Sequence, residues 1–280
     1  MSYYLLLIQL VFSALALFLF WQSISYFRRM WRYKKFSAMS FPKAYENILL
    51  EINLYRTLPP TFKKKLHLLI LLFIDQKEFI GVKMSVTDEM KVIIAFYASV
   101  MRLGFALDEK DLSSTIIIYP EHFIVDETIM DGGVHQDKKL FLQGQSAKGT
   151  VVLSWQDIQE DIEKQAKESV IIHEFAHELD FEDGYADGTP VLEGSRYSRW
   201  SEVFSHVFDG LKNLADEGKT SDRLSLLGHY ALTNEAEFFA VCSERFFQAP
   251  RDFQEEFPHI YEEMMTFYRV NPLTDFISSV

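Results

Sequence analysis

Residues 170–180 read Val-Ile-Ile-His-Glu-Phe-Ala-His-Glu-Leu-Asp, and the run His173-Glu174-Phe175-Ala176-His177 within them decides the fold. Histidines four residues apart share one face of an α-helix, so both imidazoles can reach a single ion about 2 Å from each ring nitrogen. Glu174 follows the first histidine and points beside that ion. There it can take a proton from bound water, whose pKa a zinc lowers toward neutrality. Val170, Ile171, Ile172, Phe175, Ala176 and Leu179 supply the buried remainder of such a helix, and Gly184 can end it. The plain alternative is a pair of surface histidines with ordinary hydrogen bonds; the apolar setting favours the metal. The pattern predicts His173 and His177 as zinc ligands and Glu174 as a catalytic base.

A catalytic zinc needs a third protein ligand and an open fourth position. The chain has a single cysteine, Cys242, which excludes both an intramolecular disulfide framework and a thiolate-built metal site. His206, His229 and His259 lie downstream. The position six residues after His177, where the metzincin pattern has its third histidine, holds Asp183. A later glutamate is the better candidate, and residues 233–247 (TNEAEFFAVCSERFF) offer Glu235, Glu237 and Glu244. Glu237, Val241 and Glu244 share one helical face, and Glu235 faces elsewhere. Glu237 reads equally well as a capping-box partner of Asn234, and Glu244 as a solvated charge. Asp180 and Glu244 are also candidates to orient the ligand imidazoles from behind, Asp180 reading equally as an exposed helix-end carboxylate.

On the N-terminal side of this helix, residues 115–119 (TIIIY), 123–125, 139–142 and 150–155 are short β-branched or alternating runs separated by Pro120, Gly132-Gly133 and Gly144. They predict strands of one small sheet, with 150–155 as the edge that pairs with an extended peptide. The alternative for that last strand is an ordinary interior position. Helices are expected at 88–100, capped by Thr87 or Asp88, and at 170–181, 197–215, 234–247 and 260–268. Residues 37–65 read as a loosely polar lead-in punctuated by Pro42 and Pro59-Pro60. With 48% hydrophobic residues and 25 phenylalanines, a packed interior is expected.

The net charge of −12 hides a polarity along the chain. Residues 1–65 hold 10 Lys/Arg against 2 Glu, a balance of +8, which leaves −20 for the rest. Such an acidic body argues against a nucleic-acid partner. From Tyr3 to Trp21 the only polar interruptions are Gln9 and Ser13, and as a helix this stretch spans roughly 28 Å, close to the hydrocarbon core of a bilayer. Arg28, Arg29, Arg32, Lys34 and Lys35 come next, and no charged side chain precedes the span. The positive-inside rule then places the chain beyond residue 27 in the cytoplasm, at the cell (inner) membrane. A cleaved signal peptide competes through Ala14-Leu15-Ala16, but those residues lie inside the apolar run and the charged start is missing. The domain expectation is a membrane anchor with a basic segment over 1–36 and one α+β domain over 37–280.

Residues 173–180 with Gly184 and Gly188-Thr189-Pro190 resemble the active-site region of the Mlc titration factor A family of zincin peptidases. The likeness extends to Tyr230, Glu237-Phe238-Phe239-Ala240-Val241 and Ser243-Glu244 downstream. Upstream it takes in Tyr119-Pro120, Gly144, Gly149, residues 153–157 (LSWQD), Leu58-Pro59, Lys77, Phe79 and Gly81. The resemblance implies a zincin-like metallopeptidase fold, Glu237 as the third zinc ligand, and Tyr230 as a donor to the oxyanion of the tetrahedral intermediate. It also implies a peptide or protein substrate. Familiar members are soluble and bind a sugar-responsive repressor, Mlc, whereas this chain begins with an apparent anchor. Two functions fit these residues. One is a membrane-anchored zinc peptidase with a possible regulatory partner; the other is a tethered zinc protein that sequesters a transcriptional regulator without proteolysis.

Overall fold

A computed structural model describes residues 2–106, 115–121, 123–131, 134–142, 144–147 and 149–276. The Gly132-Gly133 turn expected from the sequence lies outside the described residues. Two compact units make up the chain, Met1–Phe41 and Pro42–Val280.

The first unit is dominated by one helix, α1 (Ser2–Ser37), long and apolar enough to cross a membrane. Its side chains from Leu7 to Trp31 are mostly exposed, large apolar ones included, as suits a helix without a polar face. Lys34 and Lys35 sit in its last turn, where a cation complements the helix dipole.

The second unit is mostly helical. It opens with α2 (Lys43–Leu49), α3 (Asn53–Thr57) and α4 (Pro60–Gln76). The polar lead-in expected over 37–65 is instead part of the packed body: Leu49, Ile52, Tyr55 and Leu58 are almost fully buried. Sparse apolar residues in short helices carry too little periodicity to announce this. Strand β1 (Glu78–Gly81) comes next, and then α5 (Asp88–Val100), whose N-cap is Thr87, accepting from Met90 N–H at 3.2 Å.

The strands β2 (Thr115–Tyr119), β3 (Phe123–Asp131), β4 (Val134–Leu142), β5 (Gly144–Ala147) and β6 (Thr150–Ser154) do not form one sheet as expected. The main sheet has the order β1-β2-β6-β5, with β1, β2 and β6 parallel and β5 antiparallel; β3 and β4 pair separately as a two-stranded ribbon. Strand β1 escapes a reading by pattern, because its four residues alternate between exposed and half-buried positions and are too few to show a period. Ile116 and Ile118 register with Val151 and Leu153, and all four are fully buried on one face. Strand β6 is interior, hydrogen-bonded on both sides, so the peptide-pairing edge expected there is closed; the edge next to it is β5.

Ser154 ends β6 and caps α6 (Trp155–Glu163) by accepting from Asp157 N–H at 3.3 Å. The remaining helices are α7 (Val170–Asp180), α8 (Arg196–Asp216), α9 (Asp222–Leu227), α10 (Glu235–Gln248), α11 (Pro250–Glu256), α12 (Pro258–Tyr268) and α13 (Pro272–Asp275). Helix α7 packs against β5, β6 and α10. An aromatic cluster locks α8, α10 and α12 together: Trp200 stacks on Phe204 at 4.1 Å and meets Phe239 and Phe267 edge-on at 5.8 Å each.

Candidate metal centre

Helix α7 starts where Ser169 caps it, accepting from Ile172 N–H, and it buries Ile171, Ile172 and Ala176 completely or nearly so. That leaves the other face, with His173 and His177, turned toward α10. Asn234 caps α10 by accepting from Glu237 N–H at 2.9 Å. The carboxylate of Glu237 does not close a capping box; it projects to the histidines. His173 Nε2 and His177 Nε2 lie 3.1 Å apart, and Glu237 Oε2 is 3.0 Å from the first and 3.4 Å from the second. A tetrahedral zinc with bonds of about 2.0–2.1 Å has ligand–ligand edges of about 3.3–3.4 Å. The triangle fits such an ion, and among the described residues it is the one His/Cys/Asp/Glu group gathered closely enough to hold a metal.

Behind the triangle, His173 Nδ1 donates to Glu244 Oε1 at 2.8 Å. This bond orients the ring and turns Nε2 toward the other two ligand atoms. Glu244 Oε2 accepts from Ser169 N–H at 2.8 Å, so one carboxylate holds both His173 and the start of its helix. Glu244 is buried, not the solvated charge its spacing also allowed. Arg245, equally buried, donates to the carbonyls of Lys167 and Leu226 and to Glu168. Asp180 departs from both of its expected roles. It is fully buried, and its Oδ2 accepts from Gly188 N–H at 2.8 Å. It serves the loop after α7, which neither helix spacing nor charge pattern reveals. Glu235 faces solvent, as helical spacing predicts.

The electrostatics stem from burial. Burial pushes the Glu174 carboxyl up to about 8; His173 opposes the shift, and the charges of Glu237 and Glu244 add to it. Glu174 is only 3% exposed, and its Oε2 has no hydrogen-bond partner among the described residues. Burial works to raise Glu237 too, but the hydrogen bonds from His173 and His177 outweigh it and hold that carboxyl well below the usual range. For His173, burial works downward and is overcome by Glu237 and Glu244, which raise it to about 10.

Tyr230, in a short 3₁₀ turn (Tyr230–Leu232) just before α10, has its ring centroid 5.9 Å from that of His173. It is 58% exposed, so it is not a buried packing aromatic. Burial of the hydroxyl, then the charge of Glu237 and the hydrogen bond to it, push the phenol well up.

A family model described as glucose-regulated metallo-peptidase M90 matches residues 27–269. The chain belongs to this family. Its relatives include an uncharacterized protein, slr2042, of Synechocystis, 33% identical over 87% of this chain and 90% of that protein. They also include proteins named Mlc titration factor A. The one from Klebsiella pneumoniae is 31% identical over 80% of this chain and 85% of its own length. The one from Yersinia pestis is 34% identical over 71% and 74%. The resemblance read from the sequence is thus a family relationship across most of the chain. A metallopeptidase family implies a metal, and the His173, His177 and Glu237 group is where this chain can hold one.

Proposed function

We propose that this M90 protein is a zinc-dependent peptidase held at the cytoplasmic face of the cell membrane by α1, with residues 1–36 as anchor and 37–280 as the peptidase domain. The observation that carries the reading is the 3.0–3.4 Å triangle of His173, His177 and Glu237 beside Glu174, a buried carboxylate whose Oε2 has no hydrogen-bond partner among the described residues. His173 Nε2, His177 Nε2 and Glu237 Oε2 would hold the ion, and Glu244 keeps His173 in the tautomer that binds it. A zinc ion bound there supplies Lewis acidity, which acidifies water and polarises a carbonyl. Glu174 then acts as the general base, taking a proton at Oε2 and returning it to the leaving amine. A carboxyl raised toward neutrality by burial suits that exchange. Tyr230, at the rim, donates to the carbonyl oxygen as it becomes anionic. The apolar helix with Arg28, Arg29, Arg32, Lys34 and Lys35 after its apolar run supports the cytoplasmic orientation.

Metal analysis and peptide cleavage by the full-length protein test this reading. About one zinc per chain is expected, lost in His173→Ala and His177→Ala. Glu174→Gln should keep the metal while turnover falls by orders of magnitude. Full zinc occupancy in both histidine variants, or undiminished cleavage by Glu174→Gln, would overturn it. Reporter fusions after residue 40 check the orientation.

The relatives named Mlc titration factor A favour a second reading, in which the tethered protein binds a transcriptional regulator and keeps its ion for structure. An intact Glu174 argues against it, since a structural site needs no base and closes with a fourth ligand. Regulator binding that is indifferent to Glu174→Gln, with no hydrolysis, would select it.

A further inference from the structure

Three stretches far apart in sequence supply the proposed centre: α7 with His173 and His177, the turn after α9 with Tyr230, and α10 with Glu237. One buried side chain that no step of the proposed chemistry uses ties them together. Arg245, on α10 and only 4% exposed, donates through Nε to the Leu226 carbonyl at 2.8 Å and through Nη1 to the Lys167 carbonyl at 2.9 Å. Its Nη2 donates to Glu168 Oε1 at 3.1 Å, and Nη1 also lies 3.5 Å from Glu244 Oε2.

Both carbonyls lie where regular structure leaves them open. Leu226 is in the last turn of α9, whose carbonyls have no donor further along the helix. Two residues later Gly228, at φ +80°, turns the chain toward Tyr230. Lys167 lies between α6 and α7, just after Gln165, which holds the left-handed conformation at φ +46° against the preference of a residue with a side chain. Glu244 accepts from Ser169 N–H and from His173 Nδ1. Two adjacent residues of α10 therefore grip Lys167, Glu168 and Ser169 in succession, and Ser169 caps α7. A buried guanidinium is a poor source of stability, because apolar residues of similar volume often do as well at such sites. What it supplies is geometry: a planar fork with five donors in fixed directions.

We infer that Arg245 is a positioning residue of the centre: it fixes the turn before α7 and the segment leading to Tyr230 against α10, and so aligns His173, Glu237 and Tyr230. The inference rests on the peptidase reading of the metal centre. Arg245→Lys in the full-length protein is the main test, since an ammonium on a flexible stem keeps the charge but does not span two carbonyls and two carboxylates. Zinc affinity, read by chelator competition, should fall by about tenfold, and kcat by about ten- to hundredfold with KM changed far less. In that background Tyr230→Phe should cost about tenfold or less, against the 10²–10³ expected in the parent, because a hydroxyl already out of place has less to lose. In metal-free protein, amide hydrogen exchange over 164–172 and over 224–233 should rise together, by about tenfold. Leu66→Ala is the stability control. Leu66 is fully buried in α4, which packs on α5, so its truncation should lower the urea midpoint and leave zinc affinity and both of those segments as they are.

Arg245→Lys that loses stability but matches Leu66→Ala in zinc affinity, kcat and exchange would reduce Arg245 to an ordinary packed ion pair and overturn the inference, leaving the peptidase reading standing. Loosening of 164–172 alone, with the full Tyr230→Phe effect retained, would overturn the alignment of Tyr230 by Arg245. No peptide cleavage by the parent, with zinc affinity and both segments shifting in Arg245→Lys as expected, would overturn the peptidase reading and retain Arg245 as the residue that sets the geometry of the centre.

Discussion

Replacing Gly188 with alanine should weaken both the fold and the metal centre, although Gly188 touches no proposed ligand. Its φ is +76°, its N–H donates to Asp180 at the end of α7, and its carbonyl accepts from Trp200 Nε1 of α8 at 3.0 Å. An added Cβ would lie 2.4 Å from the carbonyl oxygen of Glu235 and 2.7 Å from its carbon, at the start of α10. The left-handed conformation costs an L-residue about 1–2 kcal/mol. The clash is with backbone, which has no rotamer to give, and overpacking of that kind costs about 1–3 kcal/mol. Together these give a loss of about 2–5 kcal/mol, a large share of a domain's stability. Glu235 is two residues before Glu237, so relief of the clash moves the third ligand, and zinc affinity should fall by about tenfold or more. Gly184→Ala is the control. It sits at φ +98° with nothing within 4 Å of the added Cβ, so it should lose only about 1–2 kcal/mol and leave zinc affinity alone. Urea unfolding and zinc competition against a chelator, run on all three proteins, read both quantities. Equal stability loss and unchanged zinc affinity in the two variants would refute the claim that Gly188 couples the loop to α10.

The other expectations are more direct. Glu237→Gln should weaken zinc binding while Glu235→Gln does little, measured by the same competition; the reverse order would remove Glu237 as third ligand. Tyr230→Phe should lower turnover by up to about 10²–10³ with zinc content nearly intact, and unchanged turnover would take Tyr230 out of the mechanism. Asp161 has a folded-state pKa of about 7 against 3.8 ordinarily, so the folded form holds the proton more tightly and stability is lost as pH rises between those values. Asp161→Asn should therefore gain on the parent protein from pH 4 to 7, by on the order of 3 kcal/mol at most; a pH-independent difference in urea unfolding would contradict this. Chelation of the metal should lower the melting temperature while leaving the far-UV helical signal of the native state in place.

Much of the site is legible in the sequence because its spacing is local. The i, i+4 histidines and the buried residues between them define α7 without reference to the rest of the chain, and Thr87 and Asn234 mark their helices by capping chemistry alone. What is not legible depends on residues far apart in sequence. Helical spacing puts Glu237 and Glu244 on one face, but the capping and ligand readings of Glu237 look exclusive. For the carboxylate they are: the backbone N–H of Glu237 serves Asn234, but its side chain closes no capping box and reaches His173, 64 positions earlier. Asp180 misleads because its partner, Gly188, lies in a loop with no periodicity. Strand β6 reads as an edge or an interior strand from its residues, and only the placement of β5 beyond it shows it to be interior.

Helix α10 grips α7 at two places with different dependence on the metal. At one, Glu237 meets His173 and His177, three groups whose close approach is strained or stabilised according to what lies between them. At the other, Glu244 accepts from Ser169 N–H and His173 Nδ1 and is backed by Arg245, contacts made wholly of protein. A buried carboxylate with two donors and a neighbouring guanidinium holds its geometry without an ion, because removing any partner would leave a desolvated charge. The aromatic cluster of Trp200, Phe204, Phe239 and Phe267 adds apolar docking of α10 that is likewise indifferent to metal. The group of His173, His177 and Glu237 is therefore held by protein contacts, and on the proposed reading an ion would add stability by mass action rather than by organising the fold. That is the arrangement a catalytic centre needs. The ordering is done in advance by α10 and the loop at Gly188, so on the proposed reading a metal's binding energy would not be consumed in folding the site around it.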